Sequence, residues 1–221
     1  MPPFSLGANV FFMTTIALFG GTGKTGRHVL AQAVAAGHTV RALARRPDSL
    51  DVESGLAIVA GDVLDPAAVA ETIRGSDAVV SVFGQVKGSS PTLQTDGTRN
   101  IVEAMTAVGL SRLITLSGGG LAATQDQPKA PDRIIKFLLQ RLSPQVLRDA
   151  EGHLDVLRTS DLDWTVVRGP RLTDAPATGH YRVGWVGVDA STQIARADLA
   201  SFILTQLDDR RFVHELPFVS R

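Results

Sequence analysis

The sequence predicts an α/β fold with a doubly wound parallel sheet, and three observations predict it. An apolar run, Thr15–Phe19, leads directly into a glycine-rich stretch and then an amphipathic segment. Further apolar runs recur at Thr39–Ala44, Leu56–Ala60, 77–83, 112–116 and 163–168, separated by residues of helical periodicity. These runs are apolar nearly throughout, as in strands covered on both faces. Right-handed crossovers between such strands wind the sheet in two directions.

The elements follow in order. After the first strand, 24–36 reads as a helix with Val29, Leu30, Ala33 and Val34 on one face, and Gly37 ends it. Segments 66–74 and 92–108 read as helices, the latter turning Ile101, Val102 and Met105 inward. A long helical region over 131–159 is interrupted at Pro144, where a ring replaces a backbone donor. A strand-like 181–188, a helix near 196–207 and a short strand at 212–218 are expected to cover the carboxyl edge of the sheet. Residues 15–221 make one domain, and 1–14 read as a disordered extension.

Composition narrows the chemistry. The chain has 221 residues, enough for one buried core, and 44% are hydrophobic. It carries 22 basic and 22 acidic residues, so no overall field draws it to nucleic acid or membrane, and any basic site must be local. Cysteine is absent, which excludes thiolate nucleophiles and cysteine metal sites. The five histidines (His28, His38, His153, His180 and His214) have no metal-ligand spacing, so no metal is expected. The apolar run 10–13 is too short for a signal or a span, and a cytoplasmic location is expected.

The most specific feature is the loop Gly20-Gly21-Thr22-Gly23-Lys24-Thr25-Gly26 between a strand and a helix. Gly20 suits the tight turn, Gly23 lets backbone approach a pyrophosphate, and Gly26 permits close packing of the helix. Free N–H groups and the positive end of the helix dipole then face the phosphates. Gly23-Lys24-Thr25 mimics the end of a triphosphate-binding loop, but that motif needs glycine at position 18, where leucine stands. The loop therefore reads as the fingerprint of a Rossmann dinucleotide site.

Cofactor choice is read at the end of the second strand. An acidic residue there would accept from a free ribose 2′-hydroxyl, whereas this chain has Arg45 and Arg46. One guanidinium can pair with a 2′-phosphate and the other lie against adenine, which predicts NADP. Gly61-Asp62-Val63 follows the third strand, where Asp62 either accepts from the adenine amino group or caps the helix near Pro66. Phe83-Gly84-Gln85 follows the fourth and is expected beside the inner ribose and nicotinamide; Gly84 either allows close approach or is an ordinary loop glycine.

These motifs, with Gly97-Thr98-Arg99-Asn100-Ile101-Val102 and Asp163-Trp164-Thr165-Val166-Val167-Arg168, resemble the atypical short-chain dehydrogenase/reductases of the NmrA-like group. Within it the likeness is strongest to the biliverdin-IXβ reductases, also called flavin reductases. The resemblance runs from about Met13 to Arg221 and is denser in the first 120 residues. It implies an NADPH-binding monomer or weak dimer that passes hydride to flavins, linear tetrapyrroles or quinone-like acceptors. It also implies that Ser117, after the fifth strand, sits beside the nicotinamide, although its hydroxyl could equally cap a turn. Where those reductases carry a histidine after the sixth strand, this chain has Arg171, which can hold an anion but cannot donate a proton near neutral pH. His153 matches another family histidine, and on a helix it is expected at the surface or half-buried.

The Tyr-x-x-x-Lys pair of ordinary short-chain dehydrogenases is missing; the only tyrosine is Tyr181, and position 185 is tryptophan. Alcohol–ketone interconversion thus lacks its proton donor, while flavins and quinones can take theirs from water. The expectation is an NADPH-dependent reductase of such an acceptor, with Ser117 and Arg171 at the reacting centre. The alternative is a catalytically silent NADP(H)-binding sensor, and an epimerase using tightly held cofactor is weaker.

Overall fold

The structure is a computed structural model that describes residues 13–51 and 54–221. Apart from Met13 and Thr14, the expected N-terminal extension lies outside the described residues.

Strands β1 (Thr15–Phe19), β2 (Thr39–Ala44), β3 (Leu56–Ala60), β4 (Ala78–Ser81), β5 (Arg112–Gly118) and β6 (Asp163–Gly169) alternate with helices α1 (Lys24–Ala35), α2 (Pro66–Ile73), α3 (Leu93–Ala107), α4 (Ala130–Leu142) and α5 (Pro144–Arg158). Three short strands follow, β7 (Arg171–Thr173), β8 (Arg182–Gly184) and β9 (Gln193–Ala195), then α6 (Arg196–Thr205) and β10 (Phe218–Ser220). The main sheet runs β3-β2-β1-β4-β5-β6-β10-β8 and is parallel except for the edge pairing of β8 with β10. Strands β7 and β9 form a separate parallel pair.

Side-chain alternation explains the continuous apolar runs. In β1, Ala17 and Phe19 join a core with Val69, Ile101, Met105 and Leu157 from α2, α3 and α5. Ile16 and Leu18 face the other way, against Val29 and Ala33 of α1 and Leu199 and Ile203 of α6. Each strand residue is therefore apolar because each face has its own helices to bury against.

The expected order of the first six strands and their helices is present, including the break at Pro144. The C-terminal quarter differs. Segment 181–188 is strand only at Arg182–Gly184, because Gly187 turns the chain at φ +78° and Trp185 bridges Val188. Strand β10 starts at Phe218, since His214 takes φ +62° and 212–215 form a turn. Strands β7 and β9 are not foreseen from the sequence, because at three residues each they are too short to show periodicity.

Candidate active site

The order β3-β2-β1-β4-β5-β6 reverses direction between β1 and β4, which opens a crevice at their carboxyl ends. The glycine loop lies there. Gly20 has φ +87°, and a Cβ on it would stand 2.6 Å from the Phe83 backbone nitrogen after β4. A Cβ on Gly26 would come within 2.0 Å of the Gly20 carbonyl oxygen, so α1 can begin against the loop only through glycine. Gly23 caps α1 without a side-chain hydrogen bond, and the first turn holds no acidic residue. The start of α1 is thus an unneutralised dipole end with no carboxylate of its own, which fits a bound pyrophosphate.

One cleft is lined by Gly20, Thr22 and Gly23 from the loop, Arg45, Asp62 and Val63 after β2 and β3, and Phe83 and Gly84 after β4. The other cofactor residues expected from sequence are not on its wall. Thr25 is buried behind the loop, and the exposed Lys24 ammonium reaches Asp174 at 3.5 Å. Arg46 is exposed and its carbonyl accepts from Ser49. Gln85 donates to the Pro91 carbonyl and to Asp149 Oδ2 at 2.8 Å, so it braces the loop.

Asp62 Oδ1 accepts from the Leu64 N–H, and Oδ2 lies 3.8 Å from Arg45 Nε. The cap of α2 is Asp65, whose carboxylate accepts from the Ala67 N–H, so that role does not fall to Asp62. Underneath, a Cβ on Gly97 would meet the Phe83 ring at 2.8 Å and Val63 at 3.0 Å. The missing side chain lets both residues settle onto α3. Asn100 Nδ2 donates to the Val63 carbonyl and fixes the same turn.

Beyond β4, a second cavity of about 450 Å³ opens at the carboxyl ends of β5 and β6. Its floor is Ser117 to Gly120, and its walls include Leu147, Ala150, Pro170 and Phe218. Ser117 is 5% exposed, yet its Oγ has no hydrogen-bond partner. A buried hydroxyl left unpaired costs stability, so one on a cavity wall fits a polar ligand atom. Arg171 lies at the rim, donating through Nη2 to Gln193 Oε1 at 2.7 Å.

Three buried groups hold the two spaces in register. Asp149 on α5 accepts from the Gln94 and Thr95 N–H groups, the Thr95 hydroxyl and Gln85, capping α3 from another helix. Arg168 on β6 is fully buried and grips both oxygens of Asp126 at 2.7 and 2.9 Å. Burial alone would raise the Asp126 carboxyl, but hydrogen bonds from Arg168 and from the Ala123 and Val186 N–H groups hold it below the ordinary range. This pair pins segments that supply Leu121 and Val186 to the cavity.

His153 is buried rather than surface-facing, with Nδ1 2.9 Å from Thr98 Oγ1 and Nε2 3.2 Å from Thr115 Oγ1. Burial lowers its pKa to about 4, against a smaller opposing effect of Asp149, so the imidazole is neutral at pH 7. The roles of Asp149, Arg168 and Asp126 were not visible in the sequence, because most of their partners lie 42 to 64 residues away. The run Gly118-Gly119-Gly120 was the one local sign of the cavity floor.

Comparison with known proteins agrees with this geometry. The chain is 26% identical to Bacillus subtilis YwnB over 207 residues, covering 87% of this chain and 92% of YwnB. It is 34% identical over 154 residues to the (4-alkanoyl-5-oxo-2,5-dihydrofuran-3-yl)methyl phosphate reductase of Streptomyces griseus, covering 69% of this chain and 46% of that enzyme. The short-chain dehydrogenase/reductase of Veillonella parvula, solved in complex with NADP, superposes with a TM-score of 0.77 at 17% identity, over 95% of each chain. The profile described as NAD(P)H-binding matches residues 20–210. The chain therefore belongs to the NAD(P)H-binding family, with the fold of the atypical short-chain dehydrogenase/reductases.

Proposed function

We propose that this chain is an NADPH-dependent reductase of a flavin, quinone or tetrapyrrole-like acceptor. The observation that carries the reading is the cavity beside the cofactor cleft, apolar along its walls, with the unpartnered Ser117 hydroxyl on its floor. Bound NADPH would supply a hydride, and the acceptor would gain that hydride and a proton as the cofactor leaves oxidised.

The chain's own residues bind and orient. N–H groups at the start of α1 receive the pyrophosphate, and Arg45 meets the 2′-phosphate that separates NADPH from NADH. Arg46, exposed outside the cleft, would lie over adenine. Ser117 donates to a carbonyl of the acceptor or to the carboxamide, and the glycine floor admits a flat ring without side-chain obstruction. Arg171 faces an anionic group at the rim. The streptomycete relative is named as a reductase of a phosphate ester, a substrate bearing such a group.

No tyrosine, histidine or lysine lines the cavity among the described residues, and the carboxylate on its wall, Asp132, already accepts from the Lys129 N–H, so the reading takes the proton from water. Proximity then supplies most of the acceleration.

The test is NADPH oxidation across an acceptor panel. Turnover is expected with FMN and quinones and none with aliphatic ketones. Ser117→Ala should slow it by about 1 kcal/mol, the size of one positioning hydrogen bond. Arg171→Ala should raise the KM for FMN more than for an uncharged quinone. Robust ketone reduction would overturn the reading. Cofactor binding without oxidation by any acceptor would instead favour the silent sensor.

A further inference from the structure

Helix α4 turns an apolar row away from the protein. Ile134, Leu138 and Leu142 fall at i, i+4 and i+8, and they keep 60%, 47% and 78% of their surface exposed. Phe137 beside them is 54% exposed. An amphipathic helix in a globular domain ordinarily aims such a row at the core. Here α4 leans on α5 and lends Asp132 and Ile135 to the cavity, while the row itself lines nothing.

The charge around this row is one-sided. Segment 129–148 carries five basic residues, Lys129, Arg133, Lys136, Arg141 and Arg148, against the single acid Asp132. The whole chain balances 22 against 22, so the excess is local. The Asp132 carboxylate is already occupied by the Lys129 N–H at 2.8 Å. Among the described residues, Lys129, Arg133, Arg141 and Arg148 are exposed and none is in an ion pair. The Arg141 guanidinium lies 5.3 Å over the Phe137 ring, at the border between charge and apolar surface.

We propose that α4 docks this protein on an anionic lipid surface. Ile134, Leu138 and Leu142 would sit at the acyl boundary, with Arg133 and Arg141 among the head groups. Charge decides against a second copy as the cover, because an isologous contact would set this basic face against itself. No described helix is long and apolar enough to cross a membrane, and surface docking needs none. Ile135 at the cavity wall would then face the interface, where an apolar acceptor dissolves. That last clause rests on the reductase reading; the docking does not.

The test uses the full chain without cofactor, sedimented with vesicles of phosphatidylcholine alone or with about 30% phosphatidylglycerol, at about 0.1 and 0.5 M salt. Binding is expected only to the anionic vesicles and mainly at low salt. Leu138→Glu should abolish it. Removing two charges with Arg133→Gln and Arg141→Gln should weaken it about 25-fold, roughly fivefold per charge. Circular dichroism and cofactor affinity should stay unchanged in both variants, since these side chains are on the surface.

Absent binding to anionic vesicles, or equal binding to both kinds, overturns the proposal. So does a dimer in analytical ultracentrifugation that Leu138→Glu converts to monomer, since a second copy would then cover the row. Vesicle binding by a chain that oxidises NADPH with no member of the acceptor panel would defeat the reductase reading alone.

Discussion

The glycine-loop cleft and the cavity beyond β4 stand side by side on one sheet edge and are built on different principles. The cleft is made of backbone: Gly20 and Gly26 are forced by contacts of 2.6 and 2.0 Å that a Cβ could not make. The cavity walls are made of side chains from distant segments, clamped by the buried Arg168–Asp126 pair. Backbone recognition needs residues at fixed spacing and leaves a motif. Side-chain clamping needs only a partner that arrives through folding, so it leaves none. The first space suits a constant ligand, whereas the second can change its walls without disturbing the sheet.

Four substitutions test this division. Gly26→Ala should have the largest effect on the cleft, lowering cofactor affinity at least about a hundredfold, since the new Cβ must displace backbone rather than a flexible side-chain end. Cofactor titration checks it, and unchanged affinity would remove the glycine from the site. Arg168→Met should destabilise the fold by about 3–5 kcal/mol in urea titration, because Asp126 would stay buried without its partner. Nucleotide affinity measured on the remaining folded fraction should hardly change. A large loss there would show that the two spaces are not separable.

His153 lies between the halves, and its effect should appear as a pH slope. Its folded pKa of about 4 is below the unfolded value near 6.5, so the unfolded chain binds more protons between these values. The neutral imidazole's contribution is complete above pH 6.5 and lost as pH falls toward 4, by about 3 kcal/mol. His153→Gln should flatten that part of the stability profile; an unaltered slope would assign it to other groups. The smallest effect is Arg45→Ala, expected to weaken NADPH about tenfold, or ~1.4 kcal/mol, with little change for NADH. Equal losses for both would mean that Arg45 does not read the 2′-phosphate.

Most of the sheet was legible because its strands bury both faces, and the glycine loop was legible because steric necessity is local. Arg45 and Asp62, singled out by their position at strand ends, both line the cleft. Legibility failed where residues act across the fold. Gln85 looked like a cofactor contact but is held by Asp149, 64 residues away. His153 was expected at the surface or half-buried and is buried, because helical position says nothing of what packs above it. Strand β10 was anticipated too early, since the turn at His214 depends on a left-handed residue that is not glycine.

The capping of α3 by Asp149 bears on the order in which the chain assembles. Thr92 at the helix start offers its own N–H groups no side-chain acceptor, so the first turn is poorly nucleated while it is alone. Its acceptor is 54 to 55 residues downstream, on a helix that must itself be docked before the carboxylate arrives. A contact closed over so long a stretch of chain is expected to form after the transition state for folding. Replacing Asp149 should therefore speed unfolding and leave refolding nearly untouched, the kinetic signature of a latch closed last.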